Sequence, residues 1–505
     1  MSKICLCLTG KTIARDLEAI ERYRPYIDAA ELRVDCLDED ELAFIRGFPV
    51  LAGIPVILTV RRKTDGGCFV RGEGARIVLL SKALAFAHPD ARRNFAYVDM
   101  EDDLDAPGLE EVARTYRTRI IRSFHCFDGG FADLVPRMRS LYRVGDEIAK
   151  AAVTPQGLDD VCTLFEAAQE LKEKEKILIA MGDMGQCTRL LAARLGSALT
   201  YAAVKNEEGF HNLSLGQTDP QELCDAFHFR GIDDDTEVYG IAGYPLQSTG
   251  SPPFYNGIFH QEKMNKVYIR FPADTIESFL KLASIIPLAG ASITVPHKES
   301  VLHYLHSASD EVKSVGACNT IVRTPEGWSG YNTDTQGFQE SLLNLLHKKN
   351  LRWKRCTVIG SGGAARAICS VISRLRGKAL VLNRDAYRAK QLATRYRFEY
   401  GALDEKGAQR ARSFSDVVIQ TSSVGMEPDL NGDPLPHYQF SGKEAVIDIV
   451  YKPARTAFLK RALAAGCLAI NGEDMLFRQA VAQYKHLVGV DCPLSAATAA
   501  ADKSP

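Results

Sequence analysis

Residues 355–368 read RCTVIGSGGAARAI: an apolar run, CTVI, that turns on Gly360 and Gly362 and opens directly into a stretch of small, helix-compatible residues. In that setting, glycines let the backbone turn tightly and approach a pyrophosphate, whose charge is met by backbone N–H groups and the positive end of a helix. The expected phosphate cradle is therefore Gly360, Ser361, Gly362, Gly363 and Ala364, with Ala365 at the third small-residue position. The next apolar run, KALVLNR at 378–384, ends where an NAD enzyme would place an acid on the ribose 2′-hydroxyl. This chain has Asn383 and Arg384 there, with Arg388 one turn later. Guanidinium groups at that point favour a 2′-phosphate, so the expected cofactor is NADP, held in a Rossmann-type lobe.

Upstream of this unit runs a series of polar motifs: GYPLQSTGSPPFYN at 243–256, SITVPHK at 292–298, GACNTIV at 316–322 and GYNTDTQG at 330–337. Taken singly, VPHK reads as a strand ending in a turn, NTD as an Asx turn capping a helix, and SPPFYN as a proline-fixed loop. Their succession ahead of a nucleotide unit, with IDIVYKP at 447–453 and GEDMLFRQA at 472–480 behind it, resembles the shikimate dehydrogenase family. The resemblance implies that Lys298 and Asp334 form the catalytic pair and that Asn319 and Gln479 bind substrate. It also implies Thr249, Ser251, Thr294 and Tyr451 on the substrate and Gly472 on the cofactor. A cation or donor beside a ketone suits its reduction, because charge develops on the oxygen. Gln420, in IQTSSVGM, stands where that family frequently has Asn, and altered contacts are expected there.

The first half has a different rhythm. Eight apolar runs, ICLCL, AELRV, PVILTV, FAYVD, RIIRSFH, EIAK, KILIAM and ALTY, alternate with amphipathic stretches such as ARDLEAIERY and LDDVCTLFEAAQEL. Eight strand-helix units in this length predict a (β/α)₈ TIM barrel, whose active site lies where the strands end. Polar residues gather at those ends: Glu31, Arg33 and Asp35, then Arg61, Asp99 and Glu101, His125, and Lys150. Lys150 lies within DEIAKAAV, where an ammonium is costly unless paired or neutralised, and a neutral lysine is a nucleophile toward carbonyls. His125 would move protons near neutral pH, and Arg61 and Arg189 would grip a carboxylate.

ELRVD at 31–35, LTVRRKTDGG at 58–67, SFHCF at 123–127, Lys150 and MGDMGQCTR at 181–189 resemble type I 3-dehydroquinate dehydratase. The resemblance implies an imine between Lys150 and the substrate ketone, with His125 as the proton-transfer group and Glu31 orienting it. It implies Arg33, Arg61, Asp65, Arg189 and Gln217 as substrate-binding residues, and Met181 and Tyr201 as packing for the ring. Asp65 stands where that family usually has Glu, and Thr188 where it usually has Ser. The loop KNEEGFHNLSLGQT at 205–218, which carries Ser214 and Gln217, is longer than expected.

The predicted organisation is a barrel over 1–225, a linker near 226–236, a substrate-binding lobe over 237–340 and a nucleotide-binding lobe over 341–490, with closing helices free to return to the substrate lobe. A formal net charge of −1 favours neither nucleic acid nor an anionic membrane, so small-molecule substrates are the expected partners. The 13 cysteines lack paired metal or disulfide spacings, which points to no metal and a reducing, cytoplasmic setting. The combined resemblance implies two consecutive steps, 3-dehydroquinate to 3-dehydroshikimate and then to shikimate. Two alternatives stay open: a second half acting on quinate, and a metabolite-sensing regulator that kept both folds.

Overall fold

In the computed structural model, the described residues are 2–502 except 86–87, 144–145, 205–206, 209, 212–215 and 247–248. Ser214 thus lies outside them. The chain divides into two compact units, Met1–Leu288 and Ala289–Pro505.

The first unit contains eight parallel strands: β1 (Lys3–Leu8), β2 (Ala29–Arg33), β3 (Val56–Thr59), β4 (Tyr97–Glu101), β5 (Arg119–Cys126), β6 (Ile148–Val153), β7 (Lys176–Ala180) and β8 (Leu199–Ala203). Each pairs with its sequence neighbour from β1 to β7, and β1 pairs with β8. The ring closes between β7 and β8 through the Lys176–Ser197 bridge and the Ser197 hydroxyl, which accepts from the Leu178 N–H at 2.8 Å. Most of these strands are buried on both faces, as helix-covered parallel strands are, so their sequences read as continuous apolar runs. This is the expected TIM-type barrel, with inward residues such as Cys5, Ile57, Ile121, Ile148 and Ile177 filling its axis.

Two further parallel strands, β9 (Glu237–Gly243) and β10 (Lys266–Pro272), also belong to the first unit. The division at Leu288 therefore falls inside the stretch 237–340 that sequence reading treats as one lobe. The physical reason is contact with the barrel. Ser278 donates to Asp159 of the barrel helix Leu158–Glu170 at 2.9 Å, and Arg194 donates to the Ile286 carbonyl at 2.7 Å.

The second unit holds β11 (Gly290–Ile293), β12 (Leu305–Ala308), β13 (Thr320–Thr324) and β14 (Gly327–Tyr331), where β13 is antiparallel to both β11 and β14. It also holds a six-stranded parallel sheet: β15 (Arg355–Ile359), β16 (Lys378–Asn383), β17 (Glu399–Ala402), β18 (Val417–Gln420), β19 (Ala445–Asp448) and β20 (Leu468–Ile470). Its order, β17-β16-β15-β18-β19-β20, is the doubly wound arrangement whose direction reverses between β15 and β18, the crevice where such sheets bind ligands. The helix Glu473–Val488 leaves this sheet and packs against β11 and β13, with Gln483 bonded to Ser292 and Thr320 at 2.6 Å each.

Candidate active sites

The C-terminal ends of the barrel strands surround a cavity lined by Glu31, Arg33, Arg61, Asp65, His125, Lys150, Met181, Arg189, Tyr201 and Gln217. Every described barrel residue assigned to substrate or catalysis from the sequence is therefore brought to one place. Lys150 projects from β6 at 4% exposure, and its ammonium donates to Asp99 at 2.9 Å. Of the two ways to tolerate a buried lysine, the structure uses pairing. The ammonium also lies 4.4 Å from the centroid of the Tyr201 ring and 3.9 Å from Glu31.

Asp99 is a residue that sequence reading places at the strand ends but gives no role. Burial pushes its carboxyl up, but the Arg61 guanidinium at 2.9 Å and the Lys150 ammonium hold it well below the usual carboxylate range. Its only sequence signal is its position at the end of the fourth apolar run. Arg61 lines the cavity, and its guanidinium bonds two carboxylates buried on the neighbouring strand, Asp99 at 2.9 Å and Glu101 at 2.6 Å. Glu31 accepts from Thr59 at 2.8 Å and from the Cys7 thiol at 3.2 Å, beside the Lys150 ammonium. Arg33 is held in a two-point bond by Asp35, at 3.0 and 2.8 Å.

Burial, with the charges of Arg61 and Lys150 adding to it, holds the His125 imidazole well below the ordinary histidine range. At neutral pH it is an uncharged base, and its buried Nδ1 has no hydrogen-bond partner among the described residues. Burial lowers the Arg189 guanidinium to about 10, which an incoming carboxylate would reverse. Arg189 sits on the short helix Gln186–Leu190, which begins tight against β7: a side chain at Gly185 would lie 2.1 Å from the Ala180 carbonyl oxygen. Asp65 pairs with Arg62 at 2.6 Å at the mouth of the cavity.

In the second unit, Lys298 follows β11 and its ammonium bonds Asp334 at 2.6 Å. Asp334 opens the helix Asp334–Leu346, where the helix dipole favours a carboxylate. Its other oxygen accepts from Asn319 at 2.8 Å, and Asn319 in turn reaches Gln479 at 3.1 Å and Thr333 at 3.0 Å. Four residues assigned from scattered motifs thus form one hydrogen-bonded group. Thr294, four residues before Lys298, accepts at its carbonyl from the His297 N–H. Tyr451 is half-buried, with its phenol pushed up by burial. Gly472 follows closely: a side chain there would meet the Ile449 carbonyl at 2.1 Å. Thr249 and Ser251 lie in the first unit, where their hydroxyls are 3.3 Å apart.

The crevice between β15 and β18 is a cavity of about 800 Å³ lined by Gly360, Ser361, Gly362, Asn383, Arg384 and Arg388, with Thr421, Ser422 and Ser423 from the loop after β18. Gly360 has φ of +114°, and a side chain on it would lie 2.5 Å from the Thr421 hydroxyl, so the turn requires glycine. Gly363 and Ala364 open the helix Gly363–Arg374. A side chain at Gly363 would stand 3.4 Å from Lys298 Cδ, which puts Lys298 beside the glycine turn. Arg366 and Arg395 also line the crevice, one reached by a turn of helix and the other by a long helical excursion that local motif reading does not follow. Gln420 closes the loop after β18 on itself, bonding Ser422 through both ends of its amide and the Val424 carbonyl through its nitrogen. Its altered contacts are therefore internal to the loop. The glycine turn, the helix start and the cluster of guanidiniums fit a dinucleotide bearing an extra phosphate.

A family model described as type I 3-dehydroquinase matches residues 4–234, and one described as shikimate dehydrogenase substrate binding domain matches residues 241–321. Over 521 residues the chain is 28% identical to the chloroplastic bifunctional 3-dehydroquinate dehydratase/shikimate dehydrogenase of Arabidopsis thaliana, covering 97% of this chain and 83% of that protein. It is 36% identical over 255 residues to shikimate dehydrogenase (NADP(+)) of Caldanaerobacter subterraneus subsp. tengcongensis, covering 49% of this chain and 90% of that protein. A solved structure of shikimate 5-dehydrogenase from Thermus thermophilus, in complex with NADP(H) and shikimate, aligns at 28% identity and a TM-score of 0.47, over 53% of this chain and 100% of that one.

Proposed function

We propose, since this chain belongs to the type I 3-dehydroquinase family in its first half and to the shikimate dehydrogenase family in its second, that one polypeptide carries out two consecutive steps. It dehydrates 3-dehydroquinate to 3-dehydroshikimate and reduces that product to shikimate with NADPH. The observation that carries the reading is the pairing of a buried Lys150 with Asp99 beside an uncharged His125, in the same chain as a Lys298–Asp334 pair beside a phosphate turn.

In the barrel, Lys150 gives up a proton and attacks the substrate ketone, and water leaves as the imine forms. Asp99 remains as counter-ion to the protonated imine. The imine withdraws electrons from the adjacent carbon, so His125 can remove its proton, the resulting enamine expels the hydroxyl as water with the proton that His125 returns, and a water then hydrolyses the product imine to free the ketone and the Lys150 amine. Arg189 and Arg61 grip the substrate carboxylate in this reading, with Arg33, Asp65 and Gln217 completing the substrate set of the same cavity. Arg61 also bonds Asp99 and Glu101, and its charge holds the Asp99 carboxyl low. In the second half the bound NADPH supplies the hydride. Lys298 donates a proton to the oxygen that becomes a hydroxyl, Asp334 orients the lysine, and Asn319 and Gln479 hold ring hydroxyls. Thr249, Ser251, Thr294 and Tyr451 complete the substrate set in this reading, and Gly472 admits the cofactor.

The cofactor assignment has its own test. Arg384→Ala is expected to raise the KM for NADPH about tenfold or more, since a charge-assisted contact is worth about 1.5–3 kcal/mol, while the KM for NADH stays nearly constant. Equal losses with both cofactors would remove the 2′-phosphate role.

A ligand-sensing regulator would have shed part of the catalytic set, and Lys150, His125, Lys298 and Asp334 are all in place. No helix of the described residues is long and apolar enough to cross a membrane, and all thirteen cysteines are free, which supports a reducing compartment such as the cytoplasm. The near-zero net charge supports small-molecule partners over nucleic acid. The deciding experiment is an NADPH-oxidation assay started with 3-dehydroquinate alone. Turnover requires both halves, so steady NADPH loss is expected. Dehydroshikimate accumulating without NADPH loss would leave the dehydrogenase assignment unsupported.

A further inference from the structure

Gln186 opens the helix that carries Arg189, and it is buried, at 6% exposure. Its side-chain carbonyl accepts two hydrogen bonds from one guanidinium, Arg270 Nε at 2.9 Å and Nη2 at 2.7 Å. Arg270 is not a barrel residue. It lies in β10, in the part of the chain that belongs to the dehydrogenase, and its third nitrogen reaches the Leu246 carbonyl at 3.5 Å in the segment leading to Thr249.

The helix Gln186–Leu190 has little of its own to hold it. At five residues it is too short to be stable alone, and its position depends on what it touches. Thr188 fixes its middle by accepting from the Ala180 N–H at 3.1 Å, and Arg189 reaches the Tyr201 carbonyl at 3.4 Å. Its first turn is anchored by the Gln186–Arg270 bond pair. A two-point bond to a single acceptor fixes direction as well as distance, and a charged donor makes it stronger than a neutral one.

We propose that Arg270, from the dehydrogenase half, is a positioning residue of the dehydratase: through Gln186 it holds the helix that presents Arg189 to the substrate carboxylate. The proposal rests on the reading of Arg189 as a carboxylate-binding residue. Arg270 touches no reacting atom, so its loss should weaken binding more than turnover.

The test uses the full chain. Arg270→Met keeps length and removes the donors, and it is expected to raise the dehydratase KM for 3-dehydroquinate about 5- to 10-fold with kcat within about twofold. Arg270→Lys, which retains a charged donor, should recover part of the loss. Gln186→Met should raise KM by a similar factor, and the double variant should be no worse than either single one, because both remove the same contact. An unchanged KM in Arg270→Met, a lower melting temperature with unchanged KM, or single effects that multiply in the double variant would each overturn the proposal. Failure of the wild-type chain to dehydrate 3-dehydroquinate would instead strike at the proposed function itself.

Discussion

Lys150→Ala is expected to lose dehydratase turnover by about four orders of magnitude or more, because it removes the nucleophile and with it the whole covalent route. Borohydride added with 3-dehydroquinate should reduce the imine to a stable amine in the wild type, giving an adduct on the peptide that contains Lys150 and none in the variant. The loss should not be a folding defect. Lys150 is buried beside Asp99, whose second strong partner, Arg61, remains at 2.9 Å, so the carboxylate is not left unpaired. A second readout follows from charge. The Lys150 ammonium is one of three positive neighbours, with Arg61 and Arg33, that add to burial in depressing the His125 imidazole, so removing it should move that pKa upward, toward the ordinary histidine range. Titration of the His125 resonance would show the direction. An adduct on a different lysine, or dehydration that persists in Lys150→Ala, would sink the Schiff-base assignment.

Where sequence reading stops short, the reason is long-range pairing. Lys150 announces itself because a cation inside an apolar strand is a local anomaly. Its counter-ion, Asp99, is contributed by β4, and nothing near either residue says that these two side chains pair at 2.9 Å. Arg61 shows the same limit from the other side: its type suggests a ligand clamp, and nothing local says that two acids of the neighbouring strand bond it as well. Glycine turns are legible because they act on their own backbone, as at Gly360, where the positive φ is demanded locally. Arg366 and Arg395 are not legible, since their place in the nucleotide crevice depends on how helices pack on β15 and β16.

Lys298→Ala is expected to abolish reduction of 3-dehydroshikimate, by about three orders of magnitude, while dehydration of 3-dehydroquinate stays within a few-fold of wild type. The argument begins with the hydrogen bonds around Asp334. One of its oxygens is held by Lys298 at 2.6 Å and the other by Asn319 at 2.8 Å, and Asn319 is itself tied to Gln479 and Thr333. Removing the lysine leaves Asp334 bonded through Asn319 and favoured by the start of its helix, so the site should keep its shape and lose only its proton donor. Asp334→Ala is expected to be as damaging to reduction by a different route, since it releases both Lys298 and Asn319 from their fixed directions. Neither residue belongs to the unit that contains Lys150 and His125, so neither substitution should alter the barrel's chemistry. The measurement is both single-step rates for wild type, Lys298→Ala and Asp334→Ala, at matched folding judged by melting temperature. If either variant were well folded and yet had lost dehydration as well, two independent active sites would have to give way to one shared by both reactions.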